Sequence, residues 1–132
     1  MKVKLIIVGA AGRMGKRILS LAVESGEFDI VGAVDKDGHP DISKDVGLVA
    51  AIGPIGVKLS AEPAVGADVA IDFSQPEAVD RTIDYCRQNN VALVLGTTGL
   101  SDQHRQDIKA ASEHIPIIYA TNMSLGMNVL FD

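Results

Sequence analysis

Tryptophan is absent from this sequence, and three Phe and two Tyr are its only aromatic residues. A core without large rings has to be filled by small aliphatic side chains. With 47% hydrophobic residues, that composition suits a sheet covered by helices on both faces. A single Cys rules out an internal disulfide and fits a reducing compartment. A basic excess is also missing. Twelve Lys and Arg against 17 Asp and Glu leave a net charge of −5, which argues against general binding to nucleic acid or to anionic membranes. No apolar run reaches the roughly 20 residues of a membrane span, and Met1 leads straight into a predicted strand, leaving no room for a signal peptide. A cytoplasmic location is expected. The three histidines, His39, His104 and His114, have no Cys, His or carboxylate cluster at metal-ligand spacing, so no metal is expected. At 132 residues the chain is one domain with a real core.

The chain is organised around V-K-L-I-I-V-G-A-A-G-R-M-G, residues 3–15. Apart from Lys4 its first six residues are apolar, as in a strand buried on both faces of a parallel sheet. The run breaks at Gly9 and restarts with helical spacing at Met14, Ile18, Leu21 and Ala22, up to a stop at Gly26. A strand, a glycine turn and a helix start make an anion site, because helix N-terminal amides and the helix dipole favour negative charge. Gly9, Gly12 and Gly15 alone are a weak signal in a chain with 13 glycines. The context is stronger: a second strand, Phe28–Val34, ends at Asp35, 20 residues past Gly15. A carboxylate is expected there to accept hydrogen bonds from a ribose, and the obvious ligand is a dinucleotide. Arg13, Lys16, Arg17 and Lys36 are the local cations for a phosphate.

Gly38 and Pro40 mark a loop in which His39 reads as solvated. Residues 43–66 read poorly, as a turn of helix and then a short strand near Val57–Leu59. A strand over Val69–Phe73 precedes Ser74-Gln75-Pro76-Glu77, which has capping-box spacing. Ser74 is either the N-cap or a cofactor contact. The following helix reaches about Asn89 and places Val79, Ile83 and Cys86 on one face, so Cys86 is expected to pack in the core. The strand Val91–Leu95 ends at Gly96-Thr97-Thr98-Gly99, Ser101 and Asp102 open a helix to about Ser112, and the strand Ile115–Tyr119 runs into Ala120-Thr121-Asn122-Met123. His104 and His114 read as surface residues. Ser124 starts an apolar helix within which the sequence stops at Asp132. Five strands, Val69–Phe73 being the third, predict a doubly wound parallel sheet in the order 3-2-1-4-5. The polar motifs then all lie at the carboxyl ends of strands, along one crevice.

G-A-A-G-R-M-G, I-D-F-S-x-P, G-T-T-G-L and A-T-N-M-S-L-G-M-N, with the loop D-V-G-x-x-A-x-I-G-P-x-G-V, resemble the amino-terminal half of dihydrodipicolinate reductase. That family reduces 4-hydroxy-tetrahydrodipicolinate with a nicotinamide cofactor in diaminopimelate and lysine synthesis. The resemblance covers the whole chain and implies a Rossmann-like α/β fold. It assigns Gly9, Ala10, Ala11, Gly12, Arg13, Met14 and Gly15 to the pyrophosphate turn and Asp35 to the adenosine ribose. Lys36 falls where the family often has a basic residue for a 2′-phosphate, which suggests use of both NADH and NADPH. Phe73 and Ser74 would line the cofactor cleft. Gly96, Thr97, Thr98, Ala120, Thr121, Asn122 and Met123 would frame the nicotinamide, with Thr98 also reaching the dicarboxylate substrate.

Family members continue into a second, substrate-binding domain with a His-His and Lys motif that nothing here matches. Residues 1–132 are therefore expected to be a dinucleotide-binding domain with no catalytic residue of its own. On that reading 124–132 begin a helix linking to the absent domain. The family's tetramer contacts lie largely in that domain, which is consistent with a monomeric state for this chain. Two alternatives remain open. One is the cofactor domain of an aspartate or homoserine dehydrogenase-like enzyme, against which the G-T-T-G and A-T-N-M-S motifs count. The other is a free-standing NAD(H)-binding module, against which the apolar terminal helix counts.

Overall fold

A computed structural model describes residues 2–63 and 66–119. Six parallel strands are described: β1 (Val3–Val8), β2 (Phe28–Val34), β3 (Leu59–Ser60), β4 (Val69–Asp72), β5 (Ala92–Leu95) and β6 (Ile117–Tyr119). They lie in the order β3-β2-β1-β4-β5-β6. The helices are α1 (Arg13–Ser25), α2 (Val46–Val49), α3 (Pro76–Asn89) and α4 (Asp102–Ala111).

Alternation along β1 explains the two layers. Leu5 and Ile7 pack with Ile18, Leu19 and Ala22 of α1 and Val46 of α2. Ile6 and Val8 pack with Val79, Ile83 and Cys86 of α3 and Ile108 of α4. All four β1 residues are buried, so the central strand needs a helical layer on each side. This is the expected Rossmann-like doubly wound sheet. Leu19 takes a core position that the helical spacing had not singled out, whereas Met14 and Leu21 stay half-buried.

The strand count and order differ from expectation. The segment 69–72 does not extend the β2 side; it pairs with the opposite edge of β1, with Leu5 opposite Val69 and Ile7 opposite Ile71. The outer place beside β2 belongs to the two-residue strand β3, with Ala33 opposite Leu59 and Val34 opposite Ser60. The reason is that the five-strand count left out β3, so 69–72 was given the third place; the expected reversal at β1, which covers both of its faces, is kept. A strand of two residues carries no readable alternation, although the short strand and helical turn expected within 43–66 are both present, as β3 and α2.

Helix ends follow their chemistry. Gly26 and Asn90 close α1 and α3 in left-handed conformations. Ser101 caps α4, accepting from the His104 amide while the His104 ring accepts from the Ser101 amide. His104 is half-buried in that local role, and His39 likewise accepts from the Asp41 amide. The residues expected at the nicotinamide end from the last strand, Ala120, Thr121, Asn122 and Met123, and the terminal helix 124–132 lie outside the described residues.

Candidate functional site

Strand order reverses between β1 and β4, and a cleft of about 420 Å³ opens there, over the carboxyl ends of the strands. Gly9 and Gly12 form one wall, Asp35 and Lys36 at the tip of β2 a second, and Phe73 and Ser74 after β4 a third. Its volume is within the range of small-molecule sites.

The glycine turn is fixed from two sides. The amides of Gly9 and Ala10 both donate to Val34 O, at 2.8 and 3.0 Å. Gly9 has φ +82°, and a Cβ there would lie 2.8 Å from the Phe73 backbone, so neither the dihedral nor the space allows another residue. Gly15 sits under the turn, where a Cβ would collide with Gly9 O and approach Ala10 Cα to 2.8 Å. Gly12 differs: its φ is −77°, and the nearest atom to a Cβ would be Gly9 O at 3.3 Å. A larger side chain at Gly12 would project into the cleft instead of breaking the turn. Gly12 is also the N-cap of α1 and supplies no capping group, which leaves the first amides of the helix for an anion.

Asp35 joins this turn to β2. Its Oδ2 accepts the Ala11 amide at 3.0 Å and its Oδ1 accepts the Lys36 amide at 2.8 Å. The Asp35 amide in turn donates to Ser60 O on β3 at 3.0 Å. The carboxylate is thereby held between the glycine turn and the strand tip, half-buried and facing the cleft.

On the β4 side the N-cap reading of Ser74, one of the two left open, does not hold. Gln75 is the N-cap of α3 and Pro76 its first residue, with no side-chain cap. The Ser74 hydroxyl instead donates to Asp72 Oδ1, and the Ser74 amide donates to the same oxygen at 2.7 Å. The Thr97 hydroxyl donates to it as well, at 3.2 Å. Asp72 is fully buried, and its Oδ2 has no partner among the described residues. A buried carboxylate outcompetes a solvated helix terminus for hydroxyl donors, because an unmet charge in the interior is costly. Thr97 is accordingly turned into the protein, whereas Thr98 is exposed. Gly96 gives Phe73 room: a Cβ there would overlap the Phe73 ring.

Six of the expected cofactor residues, Gly9, Gly12, Asp35, Lys36, Phe73 and Ser74, meet at this cleft. Ala10, Ala11 and Gly15 support the turn from behind. Arg13 and Met14 open α1, and Gly96, Thr97 and Thr98 follow β5, without lining the cleft. The fourth wall escaped the sequence reading. Ala78, Arg81, Thr82 and Tyr85 of α3 line the cleft at helical spacing, as do Asp37 and Glu77. The i, i+3, i+4, i+7 spacing of Ala78, Arg81, Thr82 and Tyr85 along α3 was the available signal, overlooked beside the more apolar stripe of Val79, Ile83 and Cys86. Cys86 is core, as expected: burial and then the Asp72 charge push its thiol up to about 12. Among the described residues no group of His, Cys, Asp or Glu could hold a metal, and no helix is long and apolar enough to cross a membrane.

Residues 3–123 match the family described as "Dihydrodipicolinate reductase, N-terminus". The chain is 40% identical over 133 residues to a 4-hydroxy-tetrahydrodipicolinate reductase of Anaeromyxobacter sp. (strain Fw109-5), with 98% of this chain and 49% of the relative covered. It is 44% identical over 126 residues to the reductase of that name from Acinetobacter baumannii (strain AYE), covering 93% and 46%. Its fold superposes, with a TM-score of 0.69 and 26% identity, on dipicolinate-bound dihydrodipicolinate reductase from Paenisporosarcina sp. TG-14, over 98% of this chain and 51% of that one. The chain thus spans about half the length of the curated relatives it matches.

Proposed function

The chain belongs to the dihydrodipicolinate reductase N-terminal family, and from that premise we propose that it is the NAD(P)H-binding part of a cytoplasmic reductase. The substrate would be 4-hydroxy-tetrahydrodipicolinate, reduced to tetrahydrodipicolinate on the way to diaminopimelate and lysine. The observation that carries this reading is the bond from the Ala11 amide to the Asp35 carboxylate, at 3.0 Å. It brings an anion-binding turn and a hydroxyl-accepting carboxylate together at the switch point of the sheet, where dinucleotides bind.

The cradle suits the group. Gly12 presents no side chain, the start of α1 favours a pyrophosphate, and Asp35 can accept from ribose hydroxyls. The cofactor, when bound, supplies a hydride. The protein's own part is to hold that cofactor. The Phe73 ring lines its cleft, and the Gly96–Thr98 segment is assigned to its nicotinamide end, as are Ala120, Thr121, Asn122 and Met123. Thr98 would reach the substrate. The cleft offers Lys36 and Arg81 as cations at the adenosine end. Two substrate carboxylates and the proton that accompanies the hydride need further fixed donors, and these are assigned to a second domain beyond 124–132. The whole enzyme would be a homotetramer.

Titration calorimetry of the chain with NADH and with NADPH tests the cofactor assignment, and binding of at least one is expected. In a turnover assay with freshly generated substrate, oxidation of NADPH should stay at background. It should appear once the remaining half of a family member follows in the same polypeptide. Robust turnover by 1–132 alone would show that the catalytic groups lie inside it.

A further inference from the structure

We propose that Arg81 on α3 is a second receptor for the adenosine 2′-phosphate of NADPH, held in reserve by Glu62. The proposal rests on the dinucleotide reading above and extends it to a residue outside the glycine turn and the tip of β2. The Arg81 guanidinium donates through Nη2 to Ala61 O at 2.9 Å and pairs with the Glu62 carboxylate at 2.7 Å. Ala61 and Glu62 directly follow Ser60, which lies opposite Val34 in the β2–β3 pair. Ser60 O also accepts the Asp35 amide. Arg81 is thereby tied to the chain one rung beyond the ribose carboxylate, and it lines the same cleft as Asp35 and Lys36.

Charge shows why one cation is insufficient. Lys36 stands between Asp35 and Asp37 in the sequence, and both carboxylates line the cleft with it, as does Glu77. A phosphate monoester with more than one negative charge meets net repulsion there unless a second cation takes part. Arg81 is the other cation lining the cleft among the described residues, and a guanidinium suits phosphate because it can donate two parallel hydrogen bonds.

The Arg81–Glu62 pair can be broken at little cost. Its side chains are 54% and 78% exposed, and solvated ion pairs contribute little to stability. A dianionic phosphate competes for the guanidinium more strongly than a solvated carboxylate does. With NADH, which offers no phosphate at that position, Arg81 stays with Glu62. Cofactor preference is then set by Lys36 and by the strength of the Arg81–Glu62 pair together.

The test is the ratio of the NADPH and NADH dissociation constants, measured by calorimetry at low and at physiological salt. Arg81→Ala should raise that ratio about tenfold, the scale of one charge-assisted phosphate contact. Arg81→Lys should restore part of it. Glu62→Gln, an exposed change that leaves the fold intact, should lower the ratio severalfold by releasing the guanidinium. Both shifts should shrink as salt rises. An equal change for both cofactors in Arg81→Ala would overturn the proposal, since it would place the guanidinium on the shared adenine. An unmoved ratio in Glu62→Gln would overturn it as well. If the unmodified chain binds neither cofactor, the dinucleotide reading itself fails and this inference falls with it. If it binds both and only the ratios stay unmoved, the site stands without Arg81.

Discussion

Asp35 accepts the backbone amide of Ala11 at 3.0 Å, across 24 residues of sequence. One carboxylate therefore does two jobs, fastening the glycine turn to the second strand and offering its remaining lone pairs to the cleft. Substitutions around this bond should separate shape from binding.

Gly12 and Gly15 make the clearest contrast. Gly12→Asp should still fold, because its φ is ordinary and a Cβ there meets only Gly9 O, closely at 3.3 Å, yet should abolish cofactor binding by placing a carboxylate at the proposed pyrophosphate position. Gly15→Ala should instead destabilise by about 2 kcal/mol or more, since its Cβ collides with the turn itself. Urea denaturation paired with calorimetry checks both. Full affinity in a well-folded Gly12→Asp protein would refute the placement of the pyrophosphate.

Asp35→Ala should weaken NADH more than NADPH, and Lys36→Ala the reverse, each by about 1 kcal/mol. The Ala11 bond adds a second expectation. Asp35→Ala should also lower stability by about 1 kcal/mol, because it strands the Ala11 and Lys36 amides. Thermal melts measure this loss independently of binding. No change in melting would mean that the carboxylate does not fasten the turn.

Cys86 should be inert. Its thiol is buried and pushed up to about 12, so a thiol reagent at pH 8 should label the unfolded protein and spare the native one. The linkage has a definite sign. The unfolded thiol titrates near ~8.5 and the folded one higher, so its contribution is complete below that value and is lost as pH rises toward 12. Between pH 8 and 11 the unmodified chain should lose stability faster than Cys86→Ala. Tyr85, whose phenol burial raises with the Cys86 charge as a second cause, is shifted less in Cys86→Ala, which adds to the same difference.

Asp45 should control the loop after α2. It caps that helix through the Gly47 amide and also accepts from Ile55 and Gly56. These bonds, that from Ile55 foremost, hold its carboxyl below the ordinary range. A depressed pKa stabilises above the unfolded value, near ~3.9, and the effect is lost as pH falls below it. Hydrogen exchange at Ile55 and Gly56 should therefore accelerate in Asp45→Ala at neutral pH, while exchange in the central strands stays slow.

Whatever depends on near neighbours along the chain was legible before folding was considered. The β1–turn–α1 unit, the ends of α1 and α3, the position of Asp35 at the tip of β2 and the burial of Cys86 all follow from spacing, capping and alternation within a few residues. Tertiary structure decided what depends on competition between distant partners. Ser74 looked like a helix cap, but Asp72 in the closed interior takes its hydroxyl together with that of Thr97, 25 residues away. The place beside β2 went to β3, which was too short to announce itself. Arg81 became part of the cleft because the β3–β4 connection passes beside α3. Local pattern fixes which face of an element is apolar. Only packing determines which polar groups share a space, because a hydrogen bond goes to whichever donor and acceptor lose the most by remaining unpaired.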